Sequence, residues 1–217
     1  MALLYSDNKP KKKTANFTAH ILDLDYQGLG VAKINGKTWF IENALPQESV
    51  EVRVLEEKRQ YGQGVAQRIL RPSPQRQTPP CVYFEQCGGC QNQHIPIKLQ
   101  RSAKQTALVQ RLSRLQPEPI HFMPLLQGEP WHYRRRVRLS VLLDSKNRKL
   151  NIGLRRKNSQ QIIPIEHCLV LEQPLNDLLP KLTALFEQWT TPQQLGHIEL
   201  VAADNGIAML LRHIKNI

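Results

Sequence analysis

Three features of the sequence predict a β-rich α+β protein built in two parts. Residues 15–71 are short apolar runs broken by glycine and Asn-Gly turns, the pattern of a small all-β unit. A Pro-rich stretch follows, from Arg71-Pro72-Ser73-Pro74 to Pro79-Pro80. Beyond it, strand-like alternation is mixed with helical periodicity, the signature of an α+β unit. The expected boundaries are 1–14 for a flexible basic tail, 15–73 for a five-stranded barrel and 74–217 for the second domain.

The tail carries Lys9, Lys11, Lys12 and Lys13 with no apolar segment after them, so it does not read as a signal peptide. In the barrel, Phe17 to Leu24 is the first expected strand. Gly28 and Gly30 mark a turn or bulge. Val31 to Ile34 and Thr38 to Ile41 flank Asn35-Gly36, a strong hairpin signal. Val50, Val52 and Val54 alternate with Glu51, Arg53 and Leu55, and a last strand runs from Tyr61 to Leu70. Five short strands joined by tight turns predict a closed barrel, which removes exposed edges.

In the second part, Pro96 suits a first helical turn, and Ile97, Leu108, Leu112 and Leu115 form an apolar stripe interrupted by Arg101. Lys104, Arg111 and Arg114 share an adjacent face with no acid between them. A meander follows. Val137, Leu139, Val141 and Leu143 lie on one strand face with Arg135, while Arg134, Arg136, Arg138 and Ser140 lie on the other. Leu150, Ile152 and Leu154 form the next apolar face, and Ile162 to Ile165 the third strand. Residues 174–189 predict one helix on Leu175, Leu178, Leu179, Leu182, Leu185, Phe186 and Trp189. Ile198 to Val201, Asp204-Asn205-Gly206 and Ile207 to Leu211 predict a final hairpin, whose last strand leaves a sheet edge.

The net charge is +12, and residues 131–157 supply most of it: ten Lys or Arg against Asp144 alone. Concentrated positive charge is the footprint of a polyanion partner. No apolar run approaches the length of a membrane span, so a cytoplasmic protein is expected. Thiols stay reduced in that compartment, and a cysteine cluster there reads as metal-binding or catalytic rather than as disulfides. Cys81, Cys87 and Cys90 fall within ten residues, and Cys168 follows after 77 intervening residues, just past Ile165-Glu166-His167. Thiolates select zinc, copper(I) or iron–sulfur clusters. Three clustered cysteines and one remote one follow the habit of ferredoxin-type clusters, with zinc as the alternative. Gly88-Gly89 lets backbone wrap closely and frees amides for sulfur. His94 and His167 are available but are expected to pack or to support the ligands.

Cys81-x5-Cys87-Gly-Gly-Cys90-x-x-Gln93-His94, Tyr133-Arg134-Arg135-Arg136-x-Arg138-Leu139 and Cys168 together resemble the RumA family, S-adenosylmethionine-dependent RNA uracil-5-methyltransferases acting on 23S rRNA. The resemblance spans essentially the whole chain. It implies a TRAM domain at 15–73, an OB-like RNA-binding barrel, and a four-iron, four-sulfur cluster on Cys81, Cys87, Cys90 and Cys168. Many TRAM domains carry glycine where this chain has Gln47, in Leu45-Pro46-Gln47-Glu48. The resemblance also gives Arg138 a role in holding RNA near the target uridine. Arg134 and Arg136 share its face, and Arg155, Arg156 and Lys157 extend the basic run, so all six are candidate RNA contacts.

The family's chemistry needs a cysteine thiolate to attack C6 of a flipped uridine and a base to remove the C5 proton. Four cysteines serving as metal ligands leave none for that attack. No strand followed by a Gly-rich turn and helix offers a donor site, since Gly28-Leu29-Gly30 sits between β segments. The expectation is therefore a monomeric, 23S rRNA-recognising, iron–sulfur half of such an enzyme. It lacks the C-terminal Rossmann-like domain of the family, has no catalytic residue or S-adenosylmethionine site, and is inactive alone. The alternative is a stand-alone rRNA-binding protein with a structural or redox-sensing iron–sulfur or zinc centre.

Overall fold

The computed structural model describes residues 16–116, 118–144, 146–147 and 149–214. The basic tail expected at 1–14 lies outside these residues. The chain divides into two compact units. One comprises residues up to Gln77 together with His94–His121, and the other Thr78–Gln93 with Phe122–Ile217. The leading segment of the first unit ends at Gln77, whereas the sequence expectation placed a boundary after residue 73. The long helix, however, belongs to the first unit rather than the second.

The first unit contains β1 (Asn16–His20), β2 (Asp23–Leu24), β3 (Gly30–Ile34), β4 (Lys37–Glu42), β5 (Ser49–Glu57) and β6 (Tyr61–Arg71), in the sheet order β1-β5-β6-β4-β3-β2. The two ends of that order are halves of one bent strand, the Phe17–Leu24 run of the sequence. Its first half pairs with β5 and its second with β3. At the bend, the Ile21 amide donates to the Glu48 carbonyl (2.9 Å) and the Leu22 amide to the Val31 carbonyl (2.8 Å). The sheet thus returns on itself and the five expected strands are recovered. The interior holds Ala19, Ile21, Ala32, Trp39, Ile41, Val50, Val52 and Ala66. Trp39 fits because Gly62 lies beneath it: a Cβ there would stand 2.5 Å from the indole ring.

Two features tie down the β4–β5 connection. Leu45-Pro46-Gln47-Glu48 is a tight turn in which the Glu48 amide donates to the Leu45 carbonyl (3.2 Å). Proline precedes a residue at φ 72°, the pattern of a type II turn, so Gln47 occupies a position where glycine is at ease. Glu48 is fully buried and accepts from the Leu45 amide (2.9 Å), the Ser73 amide (3.1 Å) and both Nε (2.6 Å) and Nη2 (2.9 Å) of Arg76. This carboxylate anchors the end of the barrel to the first residues of the Pro-rich stretch.

Helix α1 (Ile97–Leu115) starts after Pro96 and meets the barrel through Leu99 and Ala103, which pack on Leu24, Leu45 and Ile95. The expected stripe of Ile97, Leu108, Leu112 and Leu115 is not what it buries: Leu108 is 52% exposed and Leu115 82%.

The second unit holds β7 (Arg136–Leu143), β8 (Leu150–Arg155), β9 (Ile162–Pro164), β10 (Leu195–Ala203) and β11 (Gly206–His213), in the order β11-β10-β7-β8-β9 with every pairing antiparallel. β11 is an edge strand, as expected. One face of the sheet packs Val137, Leu139, Val141, Ile152, Ile198 and Leu200 against Leu175, Leu179, Leu182 and Phe186. Those last four come from two helices, α2 (Gln173–Asn176) and α3 (Leu179–Glu187), where one was expected. Pro180 has no N–H to give the Asn176 carbonyl, so the ladder breaks there. Leu185, expected on the apolar stripe, is exposed.

Candidate metal centre and nucleic-acid interface

The cysteine loop folds on its own turns: the Phe84 amide donates to the Cys81 carbonyl (3.0 Å) and the Cys87 amide to the Tyr83 carbonyl (2.7 Å). It then joins the strand end after β8. Cys87 and Arg156 form an antiparallel bridge, the Gly88 amide donates to the Arg155 carbonyl (2.9 Å), and the Lys157 amide to the Gln86 carbonyl (2.8 Å). Gly88 permits this approach, since a Cβ there would lie 3.0 Å from the Arg155 oxygen. The Arg156 guanidinium donates to Gln86 Oε1 (2.7 Å), and Lys157 Nζ lies 4.2 Å from the centre of the Phe84 ring.

The Cys168 loop is built around a buried side chain that sequence reasoning missed. Asn176 accepts from the Cys168 amide (2.7 Å) and donates to the carbonyls of Cys168 (2.9 Å) and Leu171 (3.0 Å). The loop is stitched in turn to the segment before β7. The Arg134 amide donates to the Val170 carbonyl (2.8 Å), the Glu172 amide to the Arg134 carbonyl (3.1 Å), and the His132 amide to the Leu169 carbonyl (2.9 Å). An asparagine in the first turn of a helix just after a cysteine was the available signal.

These two loops bring Cys81, Cys87, Cys90 and Cys168 to the lining of one recess of about 400 Å³, its open mouth included. Arg134, Ile165 and His167 also line it, and His167 stacks on Tyr83 with ring centres 5.4 Å apart. His94 is buried in the other unit, where its carbonyl accepts from the Gln77 amide (3.1 Å). Burial pushes the Cys87 and Cys168 thiols above the usual cysteine range, and the neighbouring thiols Cys90 and Cys81 push the same way. The Gly89 amide and Lys157 oppose this at Cys87, and the Val170 and Leu171 amides oppose it at Cys168. The protein alone therefore favours neutral thiols at these two positions. A bound cation reverses that preference, because thiolate is the ligating form. Among the described residues, no group of three or more His, Cys, Asp or Glu is arranged to hold a metal ion.

The basic run lies on the sheet face opposite the core. The register places Glu199 opposite Arg138, Val201 opposite Arg136 and His197 between Ser140 and Arg212. Gly153 pairs with Ser140, which puts Arg155, two residues on, upon the same face. Glu199 is shared: Arg136 Nη2 lies 2.7 Å from Oε2 and Arg138 Nε 3.7 Å from Oε1. The hydrogen bond from Arg136, with the charges of Arg138 and Arg212, holds the Glu199 carboxyl below its ordinary range despite some desolvation. His197 is also held low, first by desolvation and then by Arg138, Arg155 and Arg212. Three arginines, Arg136, Arg138 and Arg212, thus act on one carboxylate, and Arg155 shares their face. Arg212 and His197 were invisible as site residues until β10 and β11 were paired with β7.

Five of the six candidate RNA contacts fall on this face or on the turn after β8. Arg134 does not share it. It was expected beside Arg136 and Arg138, but its backbone pairs with Leu171 before β7 begins, and it lines the thiol recess. Arg135 is tied to Asp204 (2.6 Å) and Glu172 (3.5 Å).

Residues 10–66 match the TRAM domain family. Over its whole length the chain is similar to a series of curated proteins described as 23S rRNA (uracil(1939)-C(5))-methyltransferase RlmD. Identity is 66% with the protein from Histophilus somni (98% of this chain, 48% of that protein). It is 58% with that from Haemophilus influenzae Rd (100% and 50%) and 40% with that from Erwinia tasmaniensis (99% and 49%). The chain thus spans about half the length of the curated relatives it matches. Among solved structures, the Pyrococcus abyssi tRNA (uracil-54, C5)-methyltransferase in complex with S-adenosyl-L-homocysteine shares the fold. The TM-score is 0.60 at 20% identity, over 89% of this chain and 44% of that one. By sequence, and along its whole length, this chain is thus similar to about half of the RlmD 23S rRNA uracil-C5-methyltransferases, and residues 10–66 match the TRAM domain.

Proposed function

We propose that this chain is the RNA-recognition and iron–sulfur portion of an S-adenosylmethionine-dependent 23S rRNA uridine C5-methyltransferase, working as a cytoplasmic monomeric unit. One observation carries the reading: three clustered cysteines and one distant in sequence line a single recess whose walls are hydrogen-bonded to the segments bearing the arginines. Three cysteines clustered in sequence and one remote, all lining one recess, suit an iron–sulfur cluster better than a zinc site built on two short Cys-x-x-Cys knuckles. The Gly89 amide, which donates to Cys87 Sγ (3.3 Å), and the Val170 and Leu171 amides at Cys168 offer the hydrogen bonds that thiolate sulfur takes. Cys81, Cys87, Cys90 and Cys168 would hold the cluster, which when bound supplies a cross-link between the two loops.

The chain's own residues would then grip RNA. Arg136, Arg138 and Arg155, joined by Arg156 and Lys157, offer planar and point charges to phosphates and to an unstacked base. Glu199 fixes the directions of Arg136 and Arg138 and leaves the face cationic. With every cysteine at the recess, none remains to attack C6 of uridine, so methyl transfer is assigned to chain outside these residues.

The test is direct. Anaerobically purified chain should be brown, with iron and acid-labile sulfide in equal amounts. It should bind an rRNA hairpin with a steep salt dependence that Arg138→Gln weakens. Zinc in place of iron would overturn the cluster, RNA binding indifferent to Arg138 would overturn the proposed face, and methyl transfer by this chain alone would overturn the division of labour.

A further inference from the structure

Helix α1 presents a problem that neither the barrel nor the metal centre resolves. Its 19 residues include Lys98, Arg101, Lys104, Arg111 and Arg114 and no acid, and none of the 19 is buried. Its packing rests on Leu99 and Ala103 near its start. Lys98 stands in the first turn, against the helix dipole, and no side chain caps that end. Lys98 and Arg101, Arg101 and Lys104, and Arg111 and Arg114 are spaced as surface neighbours, where like charges oppose helix formation. Among the described residues no carboxylate pairs with Lys98, Lys104, Arg111 or Arg114. Such a helix is badly composed for its own stability and well composed for a polyanion.

We propose that α1 is a second RNA-contact surface, separate from the arginine face of the β7–β11 sheet and outside the residues that match the TRAM family. Lys104 and Arg111 are seven residues apart and share one stripe, and Arg114 adjoins it. The Arg111 guanidinium lies 4.3 Å from the centre of the Tyr26 ring in the turn between β2 and β3. That turn is itself held by Asp25, whose carboxylate accepts from the amides of Gln27 (2.9 Å) and Leu29 (2.7 Å). Stacking holds the guanidinium plane while its N–H groups stay open to a phosphate, and Tyr26, 40% exposed, offers a ring to an unstacked base. A membrane surface fits poorly, because such helices need a broad apolar face and here Leu108 and Leu115 alone stand out as exposed large apolar residues.

The proposal rests on the reading of the chain as an RNA binder, and the experiment separates the two. Binding of the full chain to poly(U) and to an RNA hairpin is measured across a salt series for the native sequence, for the triple variant Lys104→Gln/Arg111→Gln/Arg114→Gln, and for Arg111→Lys. Glutamine keeps helix propensity, and circular dichroism and thermal melting check that the fold is kept. The triple variant should lower the slope of log K against log salt for poly(U) by about 2, at roughly 0.7 per lost phosphate contact. Arg111→Lys keeps the charge and loses the stack, so its slope should be unchanged while affinity falls about 2–5-fold. A native-like slope in the triple variant, with RNA still bound, would overturn the helix proposal alone. No salt-dependent RNA binding by the native chain would overturn the RNA reading itself.

Discussion

Asn176→Ala tests the construction of the Cys168 loop. The amide side chain makes three hydrogen bonds of 2.7–3.0 Å to the backbone of Cys168 and Leu171 and is 9% exposed. Each is worth about 1 kcal/mol net, and more where a buried partner is left unsatisfied. The loss should therefore be about 3 kcal/mol, a large share of the ~5–15 kcal/mol that holds a domain of this size. In a thermal scan followed by tryptophan fluorescence, that corresponds to a drop of roughly 10 °C for the second unit. Iron retained after desalting should fall with it, because the Cys168 amide and carbonyl lose the side chain that positions them. Asn176→Asp refines the test. Ionised, it still accepts from the Cys168 amide but faces two carbonyls, so the folded state favours its protonated form and its acid value should be raised. Its stability should thus be greatest below the ordinary aspartate value and lost as pH rises through the raised one. Native melting temperature and native iron content in Asn176→Ala would refute the reasoning.

Three further outcomes are expected. Cys168→Ala should purify without iron and melt early in the second unit while the barrel transition is kept; retained iron would rule out Cys168 as a ligand. At Glu48, burial alone would raise the carboxyl's acid value, but Arg76 and the Ser73 and Leu45 amides outweigh it and hold the group below the ordinary glutamate value of 4.5. Its contribution is therefore present above about pH 4.5 and lost as pH falls below that. Glu48→Ala should cost the barrel roughly 3 kcal/mol at pH 7 and flatten its acid transition, as read by urea melts at several pH values. Gln47→Gly should stabilise the barrel by up to about 1 kcal/mol, since φ 72° strains a side chain and not glycine; a lower urea midpoint would count against the turn assignment.

The legible parts of this protein were those that depend on local pattern or on chemical type. Alternation at Val50–Val54 and Val137–Val141, Asn35-Gly36 and the 81–90 cysteines each carry their meaning within a few residues. They located the barrel, the basic strand and the cysteines that line one recess without any knowledge of packing. The length of α2–α3 was misjudged because apolar spacing outlasts a proline that breaks the hydrogen-bond ladder. The buried stripe of α1 was misjudged because a helix chooses its contact by what its neighbour offers, here Leu24, Leu45 and Ile95.

What the sequence determined by itself was the family resemblance, the two-part β-rich plan, the identity of the four thiols and the excess of positive charge. These follow from residue types and spacings that few other folds tolerate. What tertiary structure alone decided was which residues meet. Pairing of β10 with β7 put Glu199 between Arg136 and Arg138 and brought His197 and Arg212 to the same face. Pairing of Arg134 with Leu171 took that arginine from the strand to the thiol recess. Folding of the 168–176 loop turned Asn176 into the support of the fourth cysteine. The reason is physical: hydrogen-bond register and burial are set between segments far apart in the chain, and a local pattern carries no record of its distant partner.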